Sequence, residues 1–159
     1  MQQTSPEQAS PVAVEQKETS AKEAYEPYMI YFGERSIPYK NGGTEEGQKI
    51  IDESKFASTW GGAATFKGDD NANTHFIGHQ NSHFKDIQHA KDIIVTDGSG
   101  KPFVYTVKNT YTVDEYGVGM NDGVDYWNSI TGTEGGERIV IQTSTGNKTE
   151  KLIIEAFPQ

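Results

Sequence analysis

The sequence predicts an all-β domain, either a barrel or a sandwich, from three observations. Short runs rich in β-branched and aromatic residues recur from residue 28 to the end of the chain. These runs are separated by turns that contain many of the 17 glycines. Stretches with helical character are few and short. Many short strands with little helix are typical of all-β folds.

Residues 1–27 are predicted to form a disordered tail. They are rich in Gln, Glu, Ser, Thr, Ala and Pro, and no aromatic residue precedes Tyr25. Such a segment buries too little apolar surface to offset the entropy that it loses on ordering. A short helix over residues 14–24 is the alternative, but this stretch has no convincing apolar face. The folded domain is therefore expected to span residues 28–159, which is enough for one hydrophobic core.

The first half of this domain is predicted to contain three strands and one helix. The strands are expected over residues 28–32, 35–39 and 74–78, and the helix over residues 44–53. Thr44 is the expected N-cap of the helix, and Gly47 is its weak point. A helical turn over residues 82–87 should direct Phe84 and Ile87 inward.

The second half contains the longest strand-like runs. Strands are predicted over residues 92–96, 103–112, 138–143 and 151–154, with a hairpin turn at 97–100 and a helical turn at 125–130. Phe103, Tyr105 and Val107 alternate and are expected on one face of their strand. Ser144 follows the strand 138–143 directly, so it stands at the C-terminal end of a strand, where reactive side chains are often displayed.

Three histidines are spaced by four residues: His75, His79 and His83. On a helix this spacing would place three imidazoles on one face, as in some zinc sites. The intervening residues favour a strand running into a turn, because Gly78 disfavours a helix interior. No glutamate completes a His-Glu-x-x-His pattern either. The sequence therefore argues against a zinc site.

Composition excludes several classes of function. The formal net charge is −9, whereas nucleic acid and anionic membranes are bound by basic patches. The chain has no cysteine, so the sequence as written cannot perform thiol catalysis. It also contains no run of 18 apolar residues, and no membrane-spanning segment is predicted.

The stretch around His79 resembles the sortases, the bacterial transpeptidases that join surface proteins to the cell wall. Ile77-Gly78-His79 is similar to the Gly-His at the family's catalytic histidine. Residues 83–87 and 92–95 are similar to the run that follows this histidine in the family. The simpler interpretation of His79, an ordinary polar loop residue, does not account for the agreement on both sides.

The stretch 139–144 also resembles the sortases. It is similar to the family's strand ending in Thr-Leu-x-Thr-Cys, with Ser144 at the position of the cysteine. Lys151 stands where the family has an arginine on the following strand. The resemblance covers residues 28–156.

The resemblance implies a fold, an activity and a set of site residues. The fold is a closed or nearly closed barrel of about eight strands. The activity is cleavage of a sorting-signal peptide such as Leu-Pro-x-Thr-Gly after Thr, through an acyl-enzyme, with transfer to a cell-wall amine. His79, Ser144 and Lys151 would be acid/base, nucleophile and oxyanion stabiliser. The implied location is extracellular, on the membrane face or secreted, with residues 2–27 as a linker after an N-terminal anchor.

No cofactor is implied, and calcium is the one metal left open, since some sortases bind it. Residues 69–73 begin like an EF-hand loop. Thr74 and Gln80 stand where the turn glycine and the bidentate glutamate belong, so this motif is rejected. A looser carboxylate site is left open, with candidate ligands Asp52, Glu53, Asp69 and Asp70.

Ser144 is predicted to be a weak nucleophile. A hydroxyl is far less acidic than a thiol, so it needs a general base in direct hydrogen-bond contact. Lys151 keeps the charge of an arginine but lacks its planar fork of donors. These departures favour an impaired enzyme or a pseudo-sortase that binds a peptide or wall component without cleaving it. Other interpretations are an unrelated β-barrel hydrolase that uses Ser144, and a turn serine bonded to its own backbone.

Overall fold

The computed structural model describes residues 25–159. The predicted tail lies outside these residues except for positions 25–27. These positions contact the rest of the domain. The Thr96 hydroxyl donates a hydrogen bond to the Glu26 carbonyl at 2.7 Å, and the Glu26 N–H donates to the Tyr31 hydroxyl at 3.1 Å.

Eight strands and two short helices make up the described residues. The strands are β1 Met29–Phe32, β2 Arg35–Lys40, β3 Ala57–Gly62, β4 Asn73–Gly78, β5 Asp92–Thr96, β6 Pro102–Asp114, β7 Arg138–Ser144 and β8 Glu150–Pro158. The helices are α1 Gly43–Glu53 and α2 Trp127–Thr131, and a 3-10 turn covers Ile87–His89. Neither helix in the described range is long and apolar enough to cross a membrane.

The strands close into a barrel in the order β1-β2-β3-β4-β7-β8-β6-β5. This confirms the prediction of an all-β, eight-stranded barrel with short helices. Neighbouring strands are antiparallel except for the pairs β2–β3 and β4–β7. Because β4 and β7 are parallel, their C-terminal ends lie at the same end of the barrel, with Gly78 opposite Thr143.

Strand β7 is buried on both faces. Ile139 and Ile141 belong to the main core, which also contains Phe76 of β4. Val140, between them, belongs to a second cluster with Ile130 of α2 and with Val113 and Ile153. A strand covered on both faces has a continuous apolar sequence instead of an alternating one. This explains the Ile-Val-Ile run of the strand that ends at the predicted nucleophile position.

Helix α1 begins one residue earlier than predicted, and Thr44 is not its N-cap. The N-cap is Gly42, which makes no side-chain capping bond. The first N–H groups are satisfied from β3 instead, since the hydroxyls of Ser58 and Thr59 accept hydrogen bonds from Gly42 and Gly43 at 3.1 Å each. Helix α1 is thereby fixed against β3.

Gly47, the predicted weak point of α1, is where the helix approaches β3 most closely. A Cβ at this position would lie 2.6 Å from the Thr59 carbonyl oxygen. The glycine therefore lowers helix propensity but lets α1 pack directly on the strand. Phe84 and Ile87 are fully buried, as predicted, although regular helical geometry after β4 is limited to the 3-10 turn.

Candidate active site

The parallel pair β4–β7 brings the three predicted site residues together. His79 follows β4 directly, and Ser144 is the last residue of β7. Lys151 of β8 is the cross-strand partner of Ser144, so both side chains project from the same face of the sheet. All three line one small cleft of about 70 Å³, whose other wall includes Gln48 and Ile51 of α1.

Ser144 lies beside a backbone donor. Its hydroxyl oxygen accepts a hydrogen bond from the Gln80 N–H at 3.0 Å. Within residues 25–159, no hydrogen bond joins this hydroxyl to the imidazole of His79. The structure therefore directs an N–H group, and not a general base, at the side chain in position 144.

The imidazole of His79 is held by helix α1. Its Nε2 lies 2.7 Å from Oδ1 of Asp52, and both side chains are about half exposed, at 42% and 49%. Gln48 donates a hydrogen bond to the same carboxylate oxygen at 3.1 Å. The hydrogen bond from His79 lowers the pKa of Asp52 below its usual range. Asp52, proposed from sequence only as a loose calcium ligand, is thus the partner of His79.

His83 is a buried positioning residue for His79. Its Nε2 lies 3.1 Å from the Ser54 carbonyl, which can only accept, so Nε2 carries the proton. Its Nδ1 then accepts a hydrogen bond from the His79 N–H at 2.9 Å. Burial lowers the pKa of His83, which favours this neutral form. His83 entered the sequence argument only as a zinc candidate, and nothing in the sequence marked this role.

His75 is also buried and neutral. Its Nε2 lies 3.0 Å from the amide oxygen Oε1 of Gln142 and therefore donates, while Nδ1 accepts a hydrogen bond from the Gly61 N–H at 3.1 Å. Burial lowers the pKa of His75 to about 4. The three evenly spaced histidines therefore bond to protein groups, and in the described part of the chain no three His, Cys, Asp or Glu side chains are grouped to hold a metal ion.

Two further polar groups line the cleft. The Lys151 ammonium has no ion pair or side-chain hydrogen bond with any described residue, and it leaves a positive charge beside Ser144. The Thr143 hydroxyl is buried and lacks a hydrogen-bond partner among the same residues. Thr143 alternates with Ser144 along β7, so its hydroxyl lies on the core face with Ile141 and not on the face that carries Ser144.

A second cavity of about 170 Å³ adjoins the cleft, and we call it the tryptophan cavity. It is lined by Gln48, Trp60, His75, Ile77, Glu115, Trp127, Thr131 and Gln142. Three of these residues, Gln48, Ile77 and Gln142, also line the cleft around Ser144. The two spaces are therefore neighbours on the outer face of β4 and β7, and we call them together the groove.

No protein-family model matches this chain, and no curated protein matches it. Solved structures do match. Sortase C1 of Streptococcus agalactiae has a TM-score of 0.58 at 18% identity and covers 82% of this chain and 66% of its own. Sortase A of Corynebacterium diphtheriae, a lid mutant, has a TM-score of 0.60 at 15% identity and covers 86% and 72%.

A third structure, sortase E1 of Streptomyces coelicolor with a tripeptide in the active site, has a TM-score of 0.57 at 16% identity. It covers 85% of this chain and 88% of its own. The chain thus spans about two thirds of the length of the Streptococcus sortase and most of the Streptomyces sortase. At these identities the likeness establishes the fold, and the barrel is a sortase fold.

Proposed function

We propose that this domain is a sortase-type protein whose cleft binds a sorting-signal peptide, with catalysis impaired because Ser144 replaces a cysteine. One observation carries the proposal. His79, Ser144 and Lys151, which were selected from the sequence, line a single cleft at the joint end of β4 and β7. The three positions were selected only because the residues around them resemble sortase motifs, so their meeting in one cleft supports the proposal independently.

The cleft offers donors for the oxyanion of an acyl-transfer reaction. A nucleophile at position 144 would attack the peptide carbonyl, and the developing negative charge would need donors already in place. The Lys151 ammonium lies on the opposing strand and would supply these donors, whereas the Gln80 N–H is bonded to the Ser144 oxygen, the atom that would attack. Lys151 supplies charge from a single point, whereas an arginine would supply a planar pair of donors.

The arrangement of His79 suits a thiolate better than a serine. A serine needs an imidazole in hydrogen-bond contact to remove its proton, and here the imidazole is bonded to Asp52. A cysteine ionises far more readily and needs only a positive charge nearby. When His79 is protonated, the Asp52 carboxylate holds it through a charge-assisted hydrogen bond.

The second candidate is a pseudo-sortase that binds without cleaving. It is favoured by the hydrogen bond between the Gln80 N–H and the Ser144 hydroxyl, which satisfies the donor in the absence of substrate. An unrelated serine hydrolase is disfavoured, because the imidazole of His79 is not bonded to Ser144. For the enzyme the partners are a sorting-signal peptide and a cell-wall amine, and for the pseudo-sortase the partner is a peptide or a wall component. Either set of partners implies an extracellular site of action.

The test is to restore the thiol with Ser144→Cys and to offer a panel of sorting peptides. Acyl-enzyme, detected by mass spectrometry, and labelling by thiol-reactive probes should both appear. If Lys151 is inadequate, labelling should return while turnover stays low until Lys151→Arg is added. Ser36→Cys, which places a thiol at an exposed strand position, is the matched control and should form no acyl-enzyme.

Two results would overturn parts of the proposal. Robust turnover by the unmodified protein that is abolished by Ser144→Ala would show a serine-dependent enzyme. The second result concerns the double variant with Ser144→Cys and Lys151→Arg. If it binds peptides of the panel but forms no acyl-enzyme, only the pseudo-sortase candidate remains.

A further inference from the structure

The tryptophan cavity holds both tryptophans of the chain, Trp60 and Trp127. Their rings meet edge to face, with centroids 6.0 Å apart. In the described range, lysine side chains lie over only two rings, Phe56 and Phe103, so no cation of residues 25–159 covers either indole. Indole is the aromatic side chain that attracts a cation most strongly.

The polar lining of the cavity is negative and incompletely paired. Glu115 is exposed, and its carboxylate has no hydrogen bond or ion pair with any described residue. Gln142 accepts a hydrogen bond from His75 through its Oε1, and its NH₂ group makes no hydrogen bond within residues 25–159. No lysine or arginine lines the cavity, and the low pKa of His75 keeps that imidazole uncharged near neutral pH.

These features fit a cationic occupant better than an apolar one. Five of the eight lining residues are polar: Gln48, His75, Glu115, Thr131 and Gln142. An apolar side chain would take the Glu115 carboxylate and the Gln142 amide out of water without offering a partner, which is costly. An ammonium or guanidinium group would pair with the carboxylate and contact the indole rings. A net charge of −9 also favours approach of a cationic ligand.

We propose that the tryptophan cavity binds a lysine or arginine side chain of the peptide that lies in the groove. The proposal rests on the proposed function in taking the groove as a peptide site. The groove is charged oppositely at its two ends, with Lys151 beside Ser144 and Glu115 in the tryptophan cavity. The peptide carbonyl would face Lys151, and a basic side chain on the same peptide would reach Glu115.

Tryptophan fluorescence tests this directly, because the only two indoles lie in the cavity. The probes are N-acetyl-lysine methylamide and its uncharged counterpart, N-acetyl-norleucine methylamide, titrated into the unmodified full chain. The lysine probe should change the emission saturably and bind about fivefold more tightly than the norleucine probe. Glu115→Gln should weaken the lysine probe about threefold and leave the norleucine probe unchanged.

Glu134→Gln is the matched control, since Glu134 is an exposed glutamate of the same β6–β7 connection and does not line the cavity. Equal or tighter binding of norleucine, or equal losses from Glu115→Gln and Glu134→Gln, would overturn the proposal. Absence of a saturable change with both probes would overturn it too. The readout needs no chemistry at Ser144, so its failure is distinct from a failure of Ser144→Cys to form an acyl-enzyme.

Discussion

Acidification should destabilise the protein through His75, a histidine that the fold keeps neutral. The residue is 1% exposed, and both ring nitrogens are already bonded, to Gln142 and to the Gly61 N–H. A second proton would have to be placed on Nδ1. It would break the bond from Gly61 and leave a charge in the interior, which is why burial lowers the pKa of His75 to about 4.

The size and sign of the effect follow from this pKa. The unfolded chain, in which the pKa is near 6.5, takes up the proton more readily than the folded protein. Protonation of His75 therefore has little effect on the free energy of unfolding above pH 6.5 and lowers it as the pH drops from 6.5 towards 4. A shift from 6.5 to about 4 corresponds to about 3 kcal/mol, of which about 2–3 kcal/mol is lost by about pH 4.5.

Urea unfolding at about pH 8 and about pH 4.5 measures this loss, with His75→Gln as the test variant. Carboxylates and His83 titrate in both proteins, so their contribution cancels in the comparison. The variant should lose about 2–3 kcal/mol less on acidification than the unmodified protein. His89→Gln, a change at an exposed histidine, is the matched control. Equal losses in His75→Gln and the unmodified protein would refute the reasoning.

Two further predictions concern the groups around His79. His83→Leu should cost about 2–4 kcal/mol in urea unfolding, because it leaves the His79 N–H and the Ser54 carbonyl without partners. His83→Asn should recover part of this by again accepting from the His79 N–H, and a loss below about 1 kcal/mol for His83→Leu would contradict the assignment. In a Ser144→Cys background, Asp52→Asn should slow alkylation of the new thiol by iodoacetamide, by at most about fivefold because the His79–Asp52 pair is half exposed. An unchanged rate would show that the carboxylate does not act through His79.

The hairpin β7–β8 was predictable because its β-branched runs are local signals, but β8 continues four residues further, to Pro158. Glu155 and Pro158 argue against a strand on propensity alone. In the structure the strand continues because the buried Glu155 carboxylate has partners on β6. It accepts hydrogen bonds from the Asn109 side-chain amide at 2.9 Å and from the Tyr111 hydroxyl at 2.7 Å. Such partners, more than forty residues away, leave no trace in the local pattern.

Strand β3 was not predicted, for a related reason. Apart from Trp60, the residues of Ala57–Gly62 are small, and the strand ends in two glycines, which favours a turn by composition. In the structure the small residues permit close approach. A Cβ at Gly61 would lie 2.9 Å from Nδ1 of His75, and one at Gly62 would lie 2.4 Å from the Asn73 carbonyl oxygen. Tertiary packing therefore makes this segment a strand, although its local composition favours a turn.

His79, Ser144 and Lys151 could be selected from the sequence because each adjoins a strand with a recognisable pattern. Asp52 could not be selected, because it lies 27 residues before its partner His79 and reaches it only when α1 packs on β3. One signal was present in retrospect. Gln48 and Asp52 are four residues apart on a helix, so they share a face and jointly approach the site.

The register of β7 against β8 links Ser144 and Lys151, the two positions at which we propose a departure from the sortase pattern. Ser144 and Lys151 are direct cross-strand partners, and a slip of one residue would move both side chains to the opposite face. Under the proposed function, the two departures would therefore alter one pair of neighbouring side chains and not two independent features of the cleft. An arginine opposite a thiolate offers two donors and a charge, whereas a lysine opposite a hydroxyl offers a charge to a neutral group. Any activity gained from Ser144→Cys should therefore depend on the residue at position 151. The effects of Ser144→Cys and Lys151→Arg on activity should not add, as is usual for residues in contact.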